Sequence, residues 1–327
     1  MEYIVAFDGG GTKTRMIVGD LEGHLVYDKI TTGSNITSMG DGPFKKVIGG
    51  LFEDMLIALS LRRCDIKHIY LGLSGADLES DYKRLNKACK NLFKEIPFTV
   101  TNDAWIILRS GLNKPYGAVC ICGTGTNSAA INKLGHKAIL RSLSYILGTY
   151  GGGLEIAREA LHYAYRADEL TYRDTILKTE IPKLFGRTDM TDCVELLYPI
   201  RQLSKKELGS ITPLVMKCAM AGDEISIKIL KKVARHIALQ TVGVIKQVEA
   251  LHDTLPVVVG GRVFDTNAPV FIKTFTETLL KECPKAYVVK PQFHPVVGAY
   301  LFALDLFGIE QTKEIEMSLK ESGGCLS

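Results

Sequence analysis

"IVAFDGGGTKTRMIV", residues 4–18, decides how the rest of the chain is read. An apolar run ends in Asp8, then come Gly9, Gly10 and Gly11, then Thr12 and Lys13, and a second apolar run begins. Neither familiar phosphate loop accounts for this order. A Walker-type loop needs G-x-x-x-x-G-K-S/T, and residues 9–14 read GGGTKT. A dinucleotide fingerprint needs G-x-G-x-x-G opening into a helix, yet position 14 is Thr and "RMIVGD" follows as a β-rich run. The element is therefore strand, glycine turn, strand, and "DLEGHLVYDKI" continues it as a tight turn and a third strand. A glycine hairpin turn can still bind phosphate, because successive backbone N–H groups in a concave turn form an anion nest that glycine lets a ligand approach.

A single glycine turn reads equally well as a turn that needs positive φ. A second copy changes the balance. "YGAVCICGTGTNSAAINKLGHKAI", residues 116–139, repeats the grammar of strand, Gly/Thr turn, strand and a further turn. Thr12 and Thr14 in the first hairpin are matched by Thr124 and Thr126 in the second. Two such hairpins point to a duplicated domain with two phosphate turns. A third glycine-terminated strand, "LPVVVGGRVFDT" at 255–266, ends in Gly260-Gly261, a backbone platform suited to a base or ribose.

The remaining segments alternate. Residues 42–63 have helical spacing, 68–77 read as a strand, 80–93 as a helix, and 98–105 as a strand. A helix opens at Asp103, which is read as its cap. After the second hairpin come a helix at 151–170 and a helical stretch to 222 broken at Pro182, Pro199 and Pro213. A long amphipathic helix capped by Asp223 spans 223–251, and a closing helix runs from Pro295. This is an α/β chain of three-layer units.

At 327 residues two domains are expected. With 46% hydrophobic and 23% charged residues and a net charge of +4, no Lys/Arg block marks a nucleic-acid or membrane-surface binder. No signal-peptide pattern or membrane-length apolar window is present, and the eight cysteines show no C-x-x-C pair. A cytoplasmic location is expected. The tail "KESGGCLS" is read as a frayed end.

"FDGGGTKT", "CGTGTNS" and "VVVGGRVF" together resemble the phosphate-1, phosphate-2 and adenosine segments of the actin, sugar-kinase and heat-shock ATPase superfamily. Within it the chain is most similar to the N-acetylglucosamine kinases and the BadF/BadG/BcrA/BcrD-type ATPases. "GLSGAD" (72–77), "TNDAW" (101–105), "LGSITPLVMKCAMAGDEIS" (208–226) and "HPVVGAYLFAL" (294–304) fit the same group. The resemblance implies two ribonuclease-H-like domains with ATP and Mg²⁺ in the cleft. They would be 1–116 and 117–294, the second carrying a helical insertion at about 160–222, with 295–327 packing back on the first. It implies ATP contacts from Gly9, Gly10, Gly11, Thr12 and Lys13, from Gly123, Thr124 and Gly125, and from Gly209, Gly260 and Gly261. It implies Asp8 as the Mg²⁺ carboxylate, Asn35 as a sugar contact, and Asp103 as sugar contact and catalytic base. A homodimer is the family's habit.

One stretch departs from the resemblance. The sugar kinases carry G-G-W-G-x-x-x-G-D-E-G-S where this chain has "RSLSYILGTYGGGLEIA", so Thr149 and Tyr150 replace the acidic pair. Ser142 and Leu143 stand where a small-residue sugar contact is expected, and weak affinity for N-acetylglucosamine follows as an expectation. The activity implied is phosphoryl transfer from ATP to a hydroxyl of a hexose or N-acetyl amino sugar. Two other readings share the fold: a non-catalytic sugar or nucleotide sensor, and an ATPase activator of an iron–sulfur dehydratase. The activator reading needs cluster-binding cysteines, and only Cys120 and Cys122 are close in sequence.

Overall fold

The computed structural model describes residues 2–200, 202–266 and 268–325. The opening stretch folds as read. Strands β1 (Tyr3–Gly9) and β2 (Lys13–Gly19) pair antiparallel, with Phe7 opposite Met16 and Gly9 opposite Thr14. The Gly10 N–H donates to the Lys13 carbonyl at 2.9 Å and closes the turn. Strand β3 (Leu25–Thr32) completes the meander. Helices α1 (Ile36–Met39) and α2 (Asp41–Ala58) follow. Then come β4 (Ile66–Leu73), α3 (Glu79–Phe93), β5 (Phe98–Asn102) and α4 (Asp103–Ser110).

The first sheet has the order β3-β2-β1-β4-β5. Its strands β1, β4 and β5 are mutually parallel, with Gly9 opposite Leu73 and Leu73 opposite Asn102. All three therefore end at one edge, where parallel α/β sheets place their ligands. Val5, Phe7, Phe44, Phe52 and Phe93 fill the core beneath.

The second sheet repeats the plan. Strands β6 (Gly117–Cys122), β7 (Thr126–Ile131) and β8 (Lys137–Ile139) are followed by α5 (Gly153–Asp168). The helical stretch then supplies α6 (Leu177–Leu184), α7 (Lys205–Gly209), α8 (Ile211–Met220) and α9 (Glu224–Gln247). Strand β9 (Pro256–Gly260), α10 (Pro269–Glu282) and β10 (Tyr287–Val289) close the sheet in the order β10-β9-β6-β7-β8. In both sheets a three-strand meander lies on one side and two later strands on the other, the arrangement a duplicated ribonuclease-H-like domain requires. Helices α11 (Pro295–Leu306) and α12 (Lys313–Glu321) end the chain.

The chain divides into two compact units, one of Met1–Val119, Ile131–Gly135 and Val289–Ser327, the other of Cys120–Ala130 and His136–Val288. In the first, α11 packs on α4 so closely that a Cβ on Gly298 would strike the Ile106 carbonyl. Buried Arg109 of α4 forms a two-point ion pair with Asp305 of α11 at 2.8 and 3.0 Å.

Five local readings change. Asn102, rather than Asp103, caps α4: its Oδ1 accepts from the Ala104 N–H at 2.9 Å, and Asp103 is the first helical residue. Both residue types cap well, so sequence could not choose between them. Helix α5 begins at Gly153 because Gly151 and Gly152 have φ of 144° and 84°, outside the helical region. Pro182 lies inside α6, and Pro213 sits in the first turn of α8, where a missing N–H costs nothing. The closing segment is two helices. The tail is not frayed to its end: Cys325 pairs with Phe293, and the His294 N–H donates to the Gly324 carbonyl at 3.1 Å. Leu326 and Ser327 lie outside the described residues.

Candidate active site

The first unit gathers its candidates at the shared edge of β1, β4 and β5. Asp8 is the last-but-one residue of β1, and Asp103 follows the last residue of β5. The turn Gly9–Lys13 connects to two loops. The Ser34 N–H donates to the Gly10 carbonyl at 3.0 Å, and the Ser74 N–H donates to the Gly9 carbonyl at 2.8 Å. Gly33 lies so near the turn that a Cβ there would come 2.4 Å from the Gly11 carbonyl oxygen. A Cβ on Gly11 would meet no atom within 4 Å, so that backbone is open to a ligand. Thr12 and Lys13 are exposed beside it.

Asn35 is drawn into the same place, with less free capacity than its sequence suggests. Its Oδ1 caps α1, accepting from Thr37 and Ser38 N–H groups at 2.9 and 3.1 Å. Its Nδ2 donates to Ser74 Oγ at 3.2 Å. One amide hydrogen remains. Helix α1 itself was not legible, since four residues show no periodicity.

The two carboxylates are electrostatically unusual. Burial pushes Asp8 up to about 6, against the opposing pull of Lys13 and Arg15. Burial pushes Asp103 up to about 7, helped by the negative charges of Asp8 and Asp77 and opposed by the amides at the start of α4. Neither carboxylate has a side-chain hydrogen-bond partner among the described residues. Carboxylates so placed bind a divalent cation or a proton-bearing hydroxyl readily. Among the described residues no three metal-ligating side chains cluster. A single carboxylate such as Asp8, with water and phosphate oxygens, is a donor set on which Mg²⁺ can be held.

Sequence reasoning missed the neighbours. Asn102 is fully buried, and its Nδ2 reaches the Asp77 carboxylate at 2.9 Å and the Ala76 carbonyl at 3.2 Å. The signal was available, because Asp77 ends "GLSGAD", but nothing in one sequence tied it to Asn102.

The second unit assembles three glycine turns. The Gly123 N–H donates to the Gly125 carbonyl at 2.9 Å. The Gly153 and Leu154 N–H groups, at the start of α5, donate to the Gly123 and Thr124 carbonyls at 2.8 and 3.1 Å. A Cβ on Gly261 would come 2.6 Å from the Cys122 carbonyl, so the turn after β9 lies directly against this one. Thr212 Oγ1 donates to the Gly153 carbonyl at 2.7 Å and brings in the start of α8, just beyond Gly209. Gly260 ends β9 in the interior. Gly123, Gly125 and Gly209 each face open space where a Cβ would be.

The departing loop does not supply an acid. Ser142, with φ of 51°, donates to Asn127 Oδ1 at 2.7 Å. The Thr149 N–H donates to the Ser144 carbonyl at 3.0 Å, and Leu143 is exposed. Tyr150 turns inward onto α9, 4.5 Å from the His236 ring, and its carbonyl accepts from Gln240 Nε2. Cys120 and Cys122 are wholly buried in β6, and burial pushes both thiols up, Cys120 to about 12. Protonated, enclosed thiols do not hold a cluster. No helix among the described residues is long and apolar enough to cross a membrane.

Residues 6–303 match the BadF/BadG/BcrA/BcrD ATPase family. The chain is 28% identical to the N-acetylmuramic acid/N-acetylglucosamine kinase of Clostridium acetobutylicum, over 93% of this chain and 98% of that one. It is 27% identical to the N-acetyl-D-glucosamine kinase of Dictyostelium discoideum, again over 93% and 98%. A Chromobacterium violaceum structure, provisionally assigned as an N-acetylglucosamine kinase, superposes with a TM-score of 0.69 at 18% identity, covering 92% of this chain and 98% of that one. At that identity the likeness speaks for the fold.

Proposed function

The chain belongs to the BadF/BadG/BcrA/BcrD ATPase family, and from that premise we propose that it is an ATP-dependent kinase of N-acetyl amino sugars. The observation that carries the reading is the Asp103 carboxylate, desolvated and without a side-chain partner, on the same strand edge as Asp8 and the open Gly9–Lys13 turn. The names of the relatives support the sugar class.

In this reading the N–H groups of the Gly9–Lys13 and Gly123–Gly125 turns bind phosphate oxygens, those of Gly10 and Gly123 excepted because they close the turns, and Thr12 and Thr124 add hydroxyl donors. Gly209, open where a Cβ would be, and the turn at Gly260 and Gly261 lie on the adenosine side. Asp8 would hold Mg²⁺, which when bound neutralises charge on the phosphates. Asn35 spends its remaining amide hydrogen on a sugar hydroxyl, and Ser142, Leu143 and Thr149 border the sugar's substituents. Asp103 accepts the proton of the attacking hydroxyl and aims that oxygen. The new O–P bond forms as the bond to the β-phosphate oxygen breaks, and ADP leaves. The two-domain division, a homodimer and a cytoplasmic location belong to the same proposal.

The test is coupled ADP release with Mg·ATP over about twenty sugars, amino sugars and cell-wall saccharides. A kinase releases one ADP per phosphosugar formed. ADP release without sugar would favour the activator reading. Sugar binding without ADP would favour a sensor.

A further inference from the structure

Asp103 has no side-chain partner of its own; the amides at the start of α4 face its carboxylate, and that helix start is fixed by Asn102, the residue before it. Asn102 is held on four sides. Its Nδ2 donates to Asp77 Oδ1 at 2.9 Å and to the Ala76 carbonyl at 3.2 Å. Its Oδ1 accepts from the Ala104 N–H at 2.9 Å, and its own N–H donates to Tyr82 Oη at 3.2 Å. The amide has used both donor hydrogens and one acceptor position inside the protein. Residue 102 is thus pinned to the loop after β4 and to α3, and α4 starts from a fixed point.

We propose that Asp77 is a positioning residue for phosphoryl transfer: its hydrogen bond with Asn102 fixes the first turn of α4 and so aims the Asp103 carboxylate. The proposal rests on Asp103 being the base. A helix start that drifts by about 1 Å can cost up to roughly 10²-fold in rate while leaving substrate binding intact. Asp77 is half-buried, and burial raises its carboxyl while the Asn102 hydrogen bond draws it back.

Steady-state kinetics on the best sugar of the screen test this. Asp77→Ala should lower kcat about 10- to 100-fold with the KM values for sugar and Mg·ATP within about threefold of wild type. Asp77→Asn keeps an acceptor oxygen toward Asn102 Nδ2 and should restore kcat to within about threefold. Asn102→Ser keeps a good helix cap and removes the Nδ2 bonds to Asp77 and to the Ala76 carbonyl, so it should be at least as slow as Asp77→Ala and decides the matter if that variant does not fold. The Asp77→Ala/Asn102→Ser double variant should be no slower than the slower single variant, since both break one link. An unchanged kcat in Asp77→Ala, an Asp77→Asn variant as slow as Asp77→Ala, additive losses, or a rise in sugar KM alone would each overturn the positioning role. Retained activity in Asp103→Asn overturns the base assignment instead, so the two failures are distinguishable.

Discussion

A Cβ placed on Gly152 would lie 2.5 Å from the Cα of Gly125. The chain before α5 is therefore packed onto the second glycine turn with no room for a side chain. Gly125 itself faces the other way, with no atom within 4 Å of the place its Cβ would take. One glycine is needed by the protein and the other is left for a ligand.

That asymmetry separates two substitutions. Gly152→Ala meets backbone and a φ of 84°, so it should lower the melting temperature by several degrees. Gly125→Val fits the folded chain and should leave the melting temperature alone while weakening Mg·ATP at least about tenfold by calorimetry. Full ATP affinity in a folded Gly125→Val protein would remove the phosphate role of this turn.

How much of this was legible follows from local chemistry. The two meanders could be read because alternating apolar strands and glycine turns leave a strong pattern. The start of α5 could not, because three glycines in a row conceal which ones take positive φ. The Asp77–Asn102 link spans 25 positions and depends on the parallel register of β4 and β5. The resemblance at "TNDAW" singled out Asp103 as a candidate, yet the sequence reading gave the cap to the wrong neighbour because Asn and Asp serve that role equally.

Asn35 should be separable into cap and sugar contact. Asn35→Ser retains a capping oxygen and loses the amide, both its free hydrogen and its 3.2 Å bond to Ser74 Oγ. The melting temperature should hold, and sugar KM should rise about tenfold, the weight of one hydrogen bond to a neutral group. An unchanged KM would leave Asn35 with structural work only.

The 142–149 loop should tune sugar choice. Thr149 offers no charge-assisted acceptor where the family's sugar kinases carry an acid. Thr149→Asp should improve affinity for N-acetylglucosamine, with roughly 1.5–3 kcal/mol as the ceiling for one charge-assisted hydrogen bond. Strong wild-type turnover of N-acetylglucosamine, unimproved by the substitution, would show that the departure has no effect on specificity.

Asp103 should show opposite signs in stability and activity. Its folded value is about 7 and its ordinary value 3.8, so between those pH values the folded protein holds a proton that the unfolded chain has released. Stability must then fall as pH rises through that window, and the loss is complete above it. Since Asn102 makes the cap, Asp103→Asn removes a partly buried charge without removing a cap. The variant should match wild type near pH 4 and exceed it at pH 8, by on the order of 1–3 kcal/mol in chemical denaturation. Activity runs the other way. A base must be ionised to accept the hydroxyl proton, so wild-type kcat/KM should fall about tenfold from pH 7 to pH 6 and more steeply below, where Asp8 also takes up a proton, and Asp103→Asn should lose at least roughly 10²-fold at pH 8 while still binding Mg·ATP. A variant that is both more stable at pH 8 and fully active would leave Asp103 a desolvated carboxylate with no part in the chemistry.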